Sequence, residues 1–176
     1  SLELAGNVPT AEQAEALVKG RRSVRRYKRE NVDPALLDRL IRAASHAPTG
    51  SNKQQLLVTA LDTVESMDAF RTEFYRRLLD GGENLPENRL RGYFLDCARE
   101  WREKDADPIF KGAPHCLIVS NKRQVSCPWE DPLIFLSYFE LLAASRGLGT
   151  LWCAMVFWGL RDLLPDLVPR LGIPED

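Results

Sequence analysis

The sequence predicts one α+β domain in which helices outnumber strands. Three observations carry that expectation: helix caps and breakers punctuate most of the chain, only short runs have the β-branched, apolar character of strands, and a length of 176 residues with 44% hydrophobic content suits one buried core. No internal repeat or low-complexity stretch interrupts the pattern.

Thr10 followed by Gln13 has the form of a capping box, and Gly20 suits a helix end, so a first helix is expected over about 11–19. Asp33-Pro34 supplies an N-cap and a first-turn proline for a second helix, with Leu36, Leu37, Leu40, Ile41 and Ala44 on one face and a stop before Pro48. The run Leu56 to Leu61 reads as a strand. Asp62 and Glu65 then offer a capping pair before Met67, Phe70 and Phe74. A loop is expected over Gly81 to Pro86, and an amphipathic helix from Asn88 to Lys104 carrying Leu90, Phe94 and Trp101. After Gly112-Ala113-Pro114, Cys116 to Val119 reads as a buried strand. Asp131-Pro132 opens a strongly apolar helix to Arg146, closed by Gly147. A short strand through Leu151 to Val156 and a helical turn near Leu160 to Leu164 complete the expectation.

Composition narrows the function. With 24 basic and 25 acidic side chains there is no overall field to draw nucleic acid or an anionic membrane, so any anion site is local. Cys97, Cys116, Cys127 and Cys153 have no Cys-x-x-Cys spacing, which argues against a zinc or iron–sulfur site and for free thiols. No apolar run reaches the roughly 18 to 20 residues of a membrane span, and no signal-peptide layout opens the chain. A cytoplasmic location is the resulting expectation.

Two clusters carry chemistry. Arg21, Arg22, Ser23, Arg25 and Arg26 follow the helix-ending glycine, and extended alternation would send Arg21, Ser23 and Arg25 to one side. Guanidinium forks and a hydroxyl suit a phosphate, although the run taken alone reads more simply as a solvated face or a docking patch. The second cluster is Pro48, Thr49, Gly50, Ser51, Asn52 and Gln54: small hydrogen-bonding residues around a free glycine, with an amide able to pair with a heterocycle edge. As a local pattern it is also an ordinary turn.

Taken in order, Arg21-Arg22-Ser23-x-Arg25, then Pro48-Thr49-Gly50-Ser51-Asn52-x-Gln54, then Gly147-Leu148-Gly149-Thr150 after a long apolar helix, this chain resembles the FMN-dependent nitroreductase family over roughly residues 10–160. The resemblance implies a central mixed β-sheet surrounded by helices, a domain completed by homodimerisation, and an FMN in the dimer interface. Phosphate and ribityl contacts would come from Arg21, Arg22, Ser23 and Arg25, and the 48–52 segment would come from the partner subunit. Trp152 and Cys153 would border the ring by their backbone. It further implies a two-electron reductase of nitroaromatic, quinone or similar electron-poor acceptors that needs no protein nucleophile. NAD(P)H would dock transiently, in keeping with the absence of a G-x-G-x-x-G motif. Arg25 is the expected positive group near the flavin's pyrimidine edge.

Family members usually continue into a further strand, a basic residue for the FMN phosphate and a C-terminal arm. This sequence ends at Asp176, so it is read as one domain over 1–176 that is either a fragment or a shortened member. The helix at Thr10-Ala11-Glu12-Gln13 also resembles members fused behind a ferredoxin-like domain, which would make an iron–sulfur module the electron donor. Among single residues, His46 and His115 read as structural. Trp129, Trp152 and Trp158 read as core or interface aromatics, and Cys153 as an inert buried thiol.

Overall fold

The core forms where two amphipathic helices, α3 (Val64–Gly81) and α4 (Arg91–Lys104), bury their apolar faces against each other. This computed structural model describes residues 8–174; residues 1–7 and 175–176, including the chain end at Asp176, lie outside the described residues. Phe74, Tyr75 and Leu78 of α3 and Phe94 and Ala98 of α4 are fully buried. Phe110 joins them edge-on to Phe74, with ring centres 5.3 Å apart, and Trp101 stacks on Tyr75 at 5.0 Å. Aromatic pairs in these geometries add about 0.5–1.5 kcal/mol to their burial. The chain's last turns close the core from one side. A Cβ at Gly159 would stand 2.4 Å from Phe74 Cζ, so only glycine lets that backbone come so close.

The remaining helices and strands are α1 (Ala11–Gly20), α2 (Pro34–Ala44), β1 (Leu57–Leu61), β2 (Cys116–Ser120), α5 (Glu130–Ala144) and α6 (Ala154–Trp158), with short 3-10 turns at Gly50–Asn52 and Gly82–Asn84. A π-type turn over Gly159–Leu163 and two short 3-10 turns follow α6. The α1 capping box and the Asp33 cap of α2 form as the sequence dictates: Gln13 N–H donates to Thr10 Oγ1 at 3.2 Å, and Ala35 N–H to Asp33 Oδ1 at 2.9 Å. The α3 cap differs from expectation. Thr63 and Ser66, not Asp62 and Glu65, form the reciprocal box, with Ser66 N–H donating to Thr63 Oγ1 at 3.1 Å. Short hydroxyls close this box without placing a carboxylate there. Asn88 initiates α4 by accepting Leu90 N–H on its side chain at 2.7 Å, which puts the first helical residue at Arg91.

Strands β1 and β2 pair antiparallel, Leu57 opposite Ser120 through Leu61 opposite Cys116. The parallel pairing is one bridge, Ser23 with Thr150. The strand expected over Leu151 to Val156 is therefore corrected: pairing ends at Thr150, and the chain turns into α6 at Ala154. Ala154 and Met155 are good helix formers, and the single β-branched residue in α6, Val156, is buried in the core from the helix.

The loop between α4 and β2 is tied to α3 by Asp107. Its carboxylate accepts the Tyr75 hydroxyl at 2.7 Å and the N–H groups of Phe110 and Gly112 at 2.9 and 2.8 Å. Arg71 Nε lies 2.8 Å away as an ion pair outside hydrogen-bonding alignment.

His115, just before β2, accepts the Val32 N–H on Nε2 at 3.3 Å. Burial pushes its pKa down, against a smaller opposing pull from Asp62. A folded pKa below the unfolded value of about 6.5 means that the unfolded chain takes the proton more readily. The contribution of His115 to stability is thus complete above about pH 6.5 and is lost as pH falls through the folded value. His115→Gln, which keeps an acceptor, should flatten the fall in melting temperature between pH 7 and 5; an unchanged slope would locate that acid sensitivity elsewhere.

Candidate active site

Helix α1 closes as Arg21 N–H donates to Leu17 O at 3.1 Å, and the chain leaves it extended. Val24 N–H then donates to Thr150 O at 2.9 Å, which lays the arginine run beside Gly147-Leu148-Gly149-Thr150. Two glycines make this possible. Gly147 turns the chain out of α5 at φ 73°, and a Cβ on Gly149 would meet Val24 Cγ2 at 2.5 Å. The first and third motifs are therefore brought together.

Beneath them sits a residue that the motif reading did not single out. Glu140 of α5 is 8% exposed and accepts Arg21 Nη1 at 3.1 Å, Trp152 Nε1 at 3.0 Å and Thr150 Oγ1 at 3.4 Å. The sequence did carry a signal, since a lone charge inside an apolar helix must find partners when buried. Arg21 thus has one guanidinium nitrogen committed inward. Arg22 donates to the carbonyls of Lys19 and Arg21 at 2.7 and 3.0 Å, and Arg25 has no carboxylate partner among the described residues. The Ser23 side chain is exposed.

The 48–54 turn is held elsewhere. Gly50 N–H donates to Asp131 Oδ1 at 2.9 Å, and Asn121 Nδ2 to Asp131 Oδ2 at 3.2 Å, with Asp131 3% exposed at the start of α5. A Cβ on Gly50 would stand 2.5 Å from Ser126 Oγ. Gln54 N–H donates to Thr49 Oγ1 at 3.0 Å. Ser51, Asn52 and Gln54 all lie in the left-handed region, at φ 53°, 52° and 49°, and they and Pro48 are exposed. Three such non-glycine residues in one turn are local strain, about 1–3 kcal/mol each, of the kind that clusters at functional sites.

Helix geometry separates the two clusters. Asp131 and Glu140 are nine positions apart on α5, which is two and a half turns: opposite faces, and about 14 Å along the axis. One chain joins the arginine run to the Gly147–Trp152 segment and holds the 48–54 turn at the far end of the same helix.

Cys153 points its thiol inward, Sγ donating to Ile109 O at 3.3 Å, and burial raises its pKa. The residue is half-buried, and its neighbour Trp152 is exposed. Trp158 packs on the core, whereas Trp129 is exposed and meets Phe157 edge-on at 6.2 Å. His46 lines a shallow apolar groove with Leu17, Tyr138 and Leu142. Among the described residues no cluster of three His, Cys, Asp or Glu is arranged to hold a metal ion. None of their helices is long and apolar enough to cross a membrane.

Residues 18–175 match the family model described as Nitroreductase family. The chain belongs to the nitroreductase family. Among its relatives, the nitrobenzene nitroreductase of Ectopseudomonas oleovorans is 26% identical, over 96% of this chain and 84% of that protein. The iodotyrosine deiodinase of Thermotoga neapolitana is 27% identical over 138 residues, 76% of this chain and 69% of the relative. The crystal structure of a nitroreductase with bound FMN from Bacteroides fragilis superposes with a TM-score of 0.73 at 20% identity, covering 93% of this chain and 81% of that one, and shows a shared fold. In this nitroreductase-family chain the three motifs fall on a helix exit, an anchored turn and a glycine-lined bridge.

Proposed function

We propose that the chain is an FMN-dependent oxidoreductase that passes two electrons from NAD(P)H to a nitroaromatic, quinone or similar electron-poor acceptor. The observation that carries this reading is the arginine run set against the Gly147–Trp152 segment by the Ser23–Thr150 bridge. Its donor set fits a flavin phosphate: Arg25 without a carboxylate partner, Arg22 tethered only to carbonyls, and the exposed Ser23 hydroxyl beside them. Arg21, half neutralised by Glu140, adds a weaker positive charge. Bound FMN would supply the hydride chemistry. The residues of the chain bind and orient it: Arg22, Ser23 and Arg25 grip the phosphate end, and the backbone at Trp152 and Cys153 lies along the ring. Pro48, Thr49, Gly50, Ser51, Asn52 and Gln54 serve the site from across a homodimer interface.

Two observations support the shared site. The opposed positions of Asp131 and Glu140 on α5 keep the two clusters of one chain apart. Helix α5 leaves Leu133 53% and Tyr138 46% exposed on two different sides, apolar surface suited to a symmetric partner. The reading goes with a cytoplasmic location, where reduced pyridine nucleotide is available. The relatives named a nitrobenzene nitroreductase and an iodotyrosine deiodinase make nitro and iodo aromatics the first acceptors to try.

The test is direct. The purified protein mixed with FMN should show bound-flavin absorbance, bleach anaerobically on addition of NADPH or NADH, recover its colour with a nitroaromatic, and scatter light as a dimer. A protein that leaves FMN free would overturn the reading. Bleaching by a reduced ferredoxin and by neither nucleotide would reassign the donor. A monomer that holds FMN tightly would remove the shared site.

A further inference from the structure

We propose that Glu140 is a positioning residue that sets the reduction potential of the bound flavin, an inference that rests on the FMN reading above. No motif contains this residue. It is the charged group at the middle of a helix whose neighbours in sequence are Phe139, Leu141 and Leu142, and it is almost completely buried. Three donors converge on it: the guanidinium of Arg21, the Trp152 indole and the Thr150 hydroxyl, which come from two separate chain segments. One carboxylate therefore fixes the exit of α1, the bridge residue Thr150 and the orientation of the half-exposed Trp152.

The electrostatic consequence is specific. Flavin gains negative charge on reduction, and a cation nearby favours the reduced form while an anion disfavours it. Glu140 and Arg21 form a pair of opposite charge under the segment that borders the ring, with Arg21 37% and Glu140 11% exposed at the side chain. The Glu140 carboxylate thus holds back an arginine that would otherwise act at full strength. Removing either partner should move the potential, and in opposite directions. A residue that merely braced the fold would loosen the site for oxidised and reduced flavin alike, and both substitutions would shift in the same sense or not at all.

The experiment is a reductive titration of the FMN-loaded protein with a reference dye, together with FMN binding measured for both oxidation states. In Glu140→Gln, which can still accept the Trp152 and Thr150 donors, reduced FMN should gain about tenfold over oxidised FMN, an upward shift of about 30 mV for a two-electron couple. In Arg21→Gln the ratio should fall, and the potential with it. Should Glu140→Gln fail to fold, Glu140→Met takes its place beside Arg21→Gln, with the same opposite shifts expected. Equal potentials in wild type and variants, or shifts of the same sign, would overturn the proposal. A wild-type protein that binds no FMN would instead sink the reading on which it rests.

Discussion

Arg25→Glu is expected to lower FMN affinity by at least tenfold while leaving the fold intact. Arg25 is exposed and pairs with no carboxylate among the described residues, so its removal breaks nothing that holds the chain together. A charge-assisted hydrogen bond to a phosphate contributes about 1.5–3 kcal/mol, and the new carboxylate adds repulsion to that loss. Each 1.4 kcal/mol is a factor of ten in binding. Quenching of flavin fluorescence gives the affinity, and circular dichroism with a thermal melt verifies the fold. An unchanged dissociation constant would return the arginine run to a solvated face or a docking patch.

Asp131→Ala should damage stability and flavin binding together. Its two oxygens, on a residue 3% exposed, accept Gly50 N–H and Asn121 Nδ2 from half-buried residues, and both donors lose their partner. Half-buried donors left unsatisfied fall at the low end of about 1–3 kcal/mol each, and a carboxylate in the first turn of α5 adds about 0.3–1 kcal/mol through the helix dipole. A total near 3 kcal/mol corresponds to a fall in melting temperature of roughly 6–12 °C in a chain of this size. The left-handed residues at 51, 52 and 54 would then relax and the turn would leave the geometry proposed to meet flavin. A lowered melting temperature with undiminished FMN affinity would detach this turn from the site.

Local rules made most of the helices legible. Thr10 with Gln13 and Asp33 with Pro34 cap their helices as short-range chemistry dictates. The apolar faces of α3 and α4 bury Phe70, Phe74 and Phe94 as their spacing requires. The α3 cap escaped because Asp62, Thr63, Glu65 and Ser66 offer two overlapping boxes, and sequence does not rank them. The expected strand after Thr150 escaped because its pairing is a single bridge to a residue 127 positions earlier, a tertiary fact with no local period. The site divides in the same way. Its motif residues stand out by type and order, whereas the Arg21–Glu140 pair joins residues 119 apart and is visible in sequence only as a charge in apolar company.

Helix α5 also acts as a ruler. Its two anchors, Asp131 and Glu140, fix where the 48–54 turn and the arginine run stand, and the distance between them is set by backbone rise and not by any side chain between. Leu136, Ser137 and their neighbours are therefore free to vary in identity within the limits of packing, but not in number. One residue inserted between the anchors would swing one end by about 100° relative to the other and slide it about 1.5 Å. Each hydrogen-bonded contact could survive only by tearing its loop from its neighbours. The length of this segment, more than its composition, is what the site constrains.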